Sequence, residues 1–126
     1  MRWGENMHRN ILTIGIPDSL LNALESTVQK DKVKIISSPN IKIAKWLLEH
    51  RKFAVIILDL EHFLQLTPDF LNEIRQQSPY VIVLGNAGTK YNWRVEDSAN
   101  LFLSYQISLS KLWALIMDAL SLRTGN

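Results

Sequence analysis

The chain has 126 residues, 47% of them hydrophobic and 21% charged, which suits one globular domain with a buried core and excludes a disordered segment. Fourteen basic against 12 acidic residues leave a net charge of +2, too small and too scattered to imply nucleic acid as a direct partner. There is no cysteine, which excludes disulfide frameworks, thiol nucleophiles and cysteine metal sites, and fits a reducing compartment.

The opening MRWGENMHRN is polar and has no apolar h-region, so residues 1–8 read as an extension ahead of the first strand rather than a signal peptide. No apolar run approaches the ~18 residues of a membrane helix. A cytoplasmic protein without a membrane partner is therefore expected. ILTIGI (11–16) is β-branched at four of six positions and reads as a strand. PDSLLNALESTVQK (17–30) reads as a helix, with Asp18 as candidate N-cap and Leu20, Leu21, Leu24 and Val28 on one face. VKIISS (33–38) is the second strand. PNIKIAKWLLEHRK (39–52) is the second helix, with Ser38 as cap, Pro39 at the first helical position, and Ile43, Trp46, Leu47 and His50 at helical spacing.

FAVIILDL (53–60) is the third strand, and its six apolar residues without alternation predict that both faces are covered. TPDFLNEIRQQS (67–78) opens with Thr67 as N-cap and Pro68 at the first helical position, and Phe70, Leu71 and Ile74 form its buried face. YVIVLG (80–85) is the fourth strand. A glycine-containing loop, GNAGTKYNW (85–93), and a short helical segment, WRVEDSAN (93–100), lead to the fifth strand, LFLSYQ (101–106). SLSKLWALIMDALSL (108–122) is the last helix, and residues 123–126 are a tail.

Five strands alternating with five helices imply parallel strands, right-handed crossovers and helices on both faces. The fold class expected is α/β, a single (βα)5 flavodoxin-like domain with sheet order 2-1-3-4-5. Ligands in such sheets sit beyond the C-terminal strand ends, near the switch between strands 1 and 3. Asp59 lies at that edge.

The order and length of these elements, with ILTIGIPDSLLNALE, VIILDL and ISLSKLWALI, resemble the receiver domain of bacterial response regulators over residues 9–122. The resemblance implies that Asp59 stands at the phospho-acceptor position, with a histidine kinase as phosphoryl donor and magnesium as the assisting cation. An acyl phosphate forms only if a divalent cation, held by oxygen ligands, bridges carboxylate and phosphoryl group. Receivers supply an acidic pair at the end of strand 1, but Gly15 and Ile16 stand there. A lysine that neutralises the phosphoryl charge is replaced by Tyr105, with Gln106 where a proline is usual. The Thr or Ser that closes strand 4 is replaced by Gly85. LEHFLQLTPDF, after the acceptor, lacks the usual Met-Pro pair and glycine. The expectation is a degenerate pseudo-receiver: not an enzyme, without cofactor, a phosphorylation-independent regulatory module of an atypical response regulator in signal transduction or transcription control. The alternatives are a true receiver phosphorylated at Asp59, using magnesium, and a small flavodoxin-like ligand-binding protein.

Asp59, Glu61 and His62 are close in sequence, but as loop residues they are expected to point apart, so no metal site is assigned. His50 suits the cation-favouring end of its helix. No G-x-S-x-G nucleophile elbow or dinucleotide fingerprint occurs, and GNAGTK lacks the Walker spacing. The last helix carries a wider apolar arc than one sheet contact needs, which predicts a second contact with a partner protein or a homodimer. In the resembled family such contacts use the fourth helical segment, the fifth strand and the fifth helix. Trp93, Tyr105, Leu109, Trp113 and Met117 are the interface candidates on that face.

Overall fold

The computed structural model describes residues 10–28, 33–77, 79–86 and 99–123. Strands β1 (Asn10–Ile14), β2 (Lys34–Ser38), β3 (Val55–Asp59), β4 (Tyr80–Gly85) and β5 (Leu101–Ser104) form one sheet in the order β2-β1-β3-β4-β5. All four pairings are parallel, with Ile11 opposite both Ile35 and Val55, and Asp59 opposite Leu84. The helices among the described residues are α1 (Asp18–Val28), α2 (Ile41–His50), α3 (Leu60–Leu64), α4 (Pro68–Gln77) and α5 (Leu109–Arg123). This is the expected flavodoxin-like order.

The continuous apolar run of β3 is explained by two core layers. Val55 and Ile57 face a cluster with Ile11, Leu24, Ile82, Leu84, Leu112 and Ile116. Ile56 and Leu58 face the opposite cluster, with Leu12, Ile14, Ala44, Leu48, Phe63, Phe70 and Ile74. Side chains alternate along a strand, so a strand covered on both faces needs no polar positions. Each of these β3 residues is fully buried, a contribution of roughly 1.5–3 kcal/mol apiece by area transfer.

The strand and helix ends differ from the sequence expectation for local reasons. β1 stops at Ile14 because Gly15 turns out of the strand with φ +68°, a conformation glycine adopts without Cβ strain. α1 begins at Asp18 itself: the Pro17 carbonyl accepts from the Leu21 N–H at 3.0 Å, and Asp18 serves in the first turn, where the helix dipole favours an acid. The cap of α2 is Asn40, not Ser38. The Asn40 side chain accepts from the Ile43 N–H at 2.9 Å, while the Ser38 hydroxyl donates to the Asn40 carbonyl at 2.6 Å. Thr67 caps α4 as expected, accepting from the Phe70 N–H at 3.2 Å.

Two features are new. β3 ends at Asp59 and the chain enters a one-turn helix, α3, where a loop is expected from the sequence. And α2 is rotated relative to the apolar spacing read from sequence. Ala44 and Leu48 are buried and Leu47 is half-buried, whereas Ile43 is 42% and Trp46 56% exposed. The extension at 1–8, the loop and helical segment at 87–98 with Trp93, and the end of the tail (124–126) lie outside the described residues.

Candidate functional site

The C-terminal ends of β1, β3 and β4 meet at Asp59. Its backbone is extended (φ −70°, ψ 143°) and it caps α3, with Oδ2 accepting from the Glu61 N–H at 3.0 Å. The other oxygen, Oδ1, accepts from the Tyr105 hydroxyl at 2.6 Å. Such a short O–H···carboxylate bond belongs to the strong, charge-assisted class. Tyr105 is held there by the turn after β5, where its N–H donates to the Gly85 carbonyl at 2.9 Å. Burial, then the hydrogen bond and charge of Asp59 and the charge of Glu61, push the Tyr105 phenol well above its ordinary value of about 10. At neutral pH the phenol is therefore a hydrogen-bond donor with no charge to offer an anion.

His62 reaches the same carboxylate from one turn along α3. Its Nδ1 lies 3.7 Å from Asp59 Oδ2, an ion pair when the imidazole is protonated. The expectation that Asp59 and His62 point apart fails because the segment is helical, and residues three apart in a helix share a face. The carboxylate and imidazole side chains are 20% and 27% exposed, so solvent still reaches both.

Two glycines explain how these side chains fit. A Cβ added at Gly15 would collide with the His62 imidazole ring. One added at Gly85 would meet the Leu60 side chain at 3.2–3.4 Å, tighter than ordinary packing. Gly15 and Gly85 are the positions where the resembled family carries an acid and a hydroxyl. Here α3 places the His62 ring and Leu60 against those positions. The arrangement does not fit a magnesium ion. Gly15 and Ile16 offer no side-chain oxygen, the imidazole fills the space above Gly15, and both Asp59 oxygens already accept hydrogen bonds. Among the described residues no group of three His, Asp or Glu side chains is placed to hold a metal.

Asp59 is legible in the sequence as a strand-end acid, whereas Tyr105 is legible there only as the residue in place of a lysine and as an interface candidate. Leu60 carries no signal of its own in the sequence, and His62 is expected there only as a loop residue pointing away from Asp59. The available signal was the pairing of two strand-end glycines with bulky side chains in LEHFL. Of the interface candidates, Tyr105, Trp113 and Met117 are half-buried against the core layer shared with Leu112 and Ile116, and Leu109 is 36% exposed at the start of α5. Trp93 lies outside the described residues.

No family model matches the sequence, and no curated protein matches it. Solved structures do. The chain resembles the signal receiver domain of an HD domain-containing protein from Pseudomonas fluorescens Pf-5, with a TM-score of 0.72 and 18% identity over 93% of this chain and 98% of that one. It resembles HP1043, an orphan response regulator of H. pylori, with a TM-score of 0.71 and 15% identity over 91% and 98% of the two chains. A response regulator receiver domain from Clostridium thermocellum gives a TM-score of 0.67 and 19% identity over 90% and 95%. The class is thus defined by its fold: this chain has the receiver fold of response regulators, over nearly its whole length. Within that fold, it is a chain whose aspartate at the end of β3, Asp59, is hydrogen-bonded to a tyrosine of the same chain.

Proposed function

We propose that the chain is a pseudo-receiver, a regulatory protein-interaction module of an atypical response regulator that works without phosphorylation of Asp59. The observation that carries this reading is the 2.6 Å bond from Tyr105 to Asp59. A receiver responds to phosphorylation because a new anion at the end of β3 recruits groups from the ends of β4 and β5. Here the group at the end of β5 already engages the carboxylate. Gly85 at the end of β4 has no hydroxyl to recruit, and the position at the end of β1 brings no cation ligand. The phosphoryl group would have to displace Tyr105 and His62 without a cation to compensate its charge, so its stabilisation would be lost.

Signalling then passes through surfaces rather than through the acceptor. Leu109, Trp113 and Met117 of α5, with Tyr105 beside β5, form the surface offered to a partner protein. The reading is supported by the half-exposed apolar side chains on α5, beyond the Leu112, Ile116, Ala119 and Leu120 stripe that packs on the sheet. Incubation with acetyl phosphate and magnesium, followed by intact mass measurement, tests the proposal. No phosphoryl adduct is expected. An adduct that disappears in Asp59→Asn would overturn it and establish a working receiver.

A further inference from the structure

One large apolar side chain is more exposed than any other among the described residues. It is Trp46, on α2, with Ile43 one turn away. At about 100° per residue, the buried Ala44 and Leu48 and the half-buried Ile41 and Leu47 centre on one side of the helix, and Trp46 falls opposite that centre. The indole is not loosely held. It stacks on the His50 ring with centroids 4.2 Å apart and planes at 27°, and His50 Nδ1 lies 2.8 Å from the Trp46 carbonyl. A pre-ordered aromatic ring facing solvent is the kind of side chain that anchors interfaces, because little rotamer freedom is left to lose.

The charges around it are arranged along the helix axis. Lys42 and Glu49 are both exposed and lie seven residues apart, two turns, on the same face. Trp46 lies between them. Lys45, at the edge of this stripe, is turned to Glu73 of the same chain at 4.0 Å. Among the described residues neither Lys42 nor Glu49 has an ion-pair partner. These groups line a shallow groove with Asn40 and Ile43. The pattern, basic at one end, apolar in the middle, acidic at the other, is complementary to itself when reversed. A two-fold axis between Lys45 and Trp46 would set Lys42 of each copy against Glu49 of the other and bring the two indoles together.

We propose that the outer face of α2 is a two-fold interface between two copies of this chain, with Trp46 at its centre and Lys42–Glu49 pairs at its ends. Isologous contacts of this kind are self-complementary by construction, and two-fold dimers are the commonest oligomers. A ten-residue helix offers less area than the ~1,200 Å² of a stable interface, so the dimer is weak and forms at high micromolar to millimolar concentration. The inference does not depend on whether Asp59 is phosphorylated, and it uses a face distinct from that of α5.

The test is a charge exchange read by sedimentation velocity from tens of micromolar to about one millimolar, with far-UV circular dichroism to confirm that each variant is folded. Wild type is expected to show concentration-dependent dimerisation. Lys42→Glu places acid against acid at both ends, and Glu49→Lys places base against base, so each alone should weaken dimerisation roughly tenfold or more. Mixed together, the two variants become complementary and should form heterodimers. The double variant should dimerise as wild type does. Trp46→Ala should remain monomeric. Wild type that stays monomeric at millimolar concentration would overturn the inference. So would dimers that survive both single reversals, or a mixture that behaves as its separate components.

Discussion

Replacing Tyr105 by Phe keeps the ring and removes one hydroxyl, so it isolates the bond that closes the site. The native bond runs from the phenol to a carboxylate at 2.6 Å, and a net hydrogen bond to a charged group stabilises by roughly 1.5–3 kcal/mol. The carboxylate is one-fifth exposed, and water can replace the lost donor in part, so the loss at pH 7 is expected at about 1–2 kcal/mol. The pH dependence gives a sharper signature. The folded Tyr105 holds its proton to higher pH than the unfolded chain does. Its contribution is therefore fully present below about pH 10 and is lost as pH rises towards the folded value. Between those limits the wild type should lose up to about 1.4 kcal/mol per pH unit relative to the Phe variant, because only the unfolded wild type releases that proton. Urea unfolding followed by circular dichroism at pH 7, 10 and 11 measures both effects. All other side chains are common to the two proteins, so their contributions cancel in the difference. Equal stability at pH 7, with a difference that does not change up to pH 11, would refute the reasoning and remove Tyr105 from Asp59 in solution.

Gly15→Asp, which restores an acid at the end of β1, should destabilise by about 1–3 kcal/mol in chemical unfolding, since φ +68° disfavours a side chain and the His62 ring occupies its space; adding His62→Ala should recover part of that loss. Asn40→Ala removes the cap of α2 and should lower the urea midpoint by an amount equivalent to about 1 kcal/mol. Leu24→Ala, at a fully buried position between α1 and the sheet, should cost about 2–5 kcal/mol in the same assay. Met117→Lys places a charge on the half-buried surface of α5 and should leave the Tyr105–Asp59 contact intact, checked by unchanged amide shifts at Asp59.

The fold was readable because its signals are local and repeated. Each strand is a short run of apolar residues, each is followed by a helix, and β3 lacks alternation because it is central; these features are enough to imply the sheet order. Element ends were harder. Whether Ser38 or Asn40 caps α2 depends on which side chain lies within reach of the Ile43 N–H, and both are good capping residues. The facing of α2 is not set by spacing alone: Ile43 and Trp46 are apolar and at helical spacing, yet Ala44 and Leu48 fill the space against β1 and β2. Spacing identifies a stripe but not which stripe the sheet accepts. At the site, the sequence showed what is missing around Asp59. It could not show what takes the place of the missing groups, because Tyr105 lies 46 residues from Asp59 and their contact exists only when β5 packs beside β4. Nor did it show that LEHFL would wind into a helix and bring the imidazole over Gly15.

The central claim, that Asp59 is engaged by its own chain and does not respond to a phosphoryl group, is tested most directly by adding magnesium and beryllofluoride and following backbone amide NMR shifts, with Asp59→Asn as control. The account predicts no specific change at Asp59, Gly85 or Tyr105. Saturable shifts at these residues that vanish in Asp59→Asn would contradict it, and would show that Tyr105 and His62 yield the carboxylate to a phosphoryl mimic.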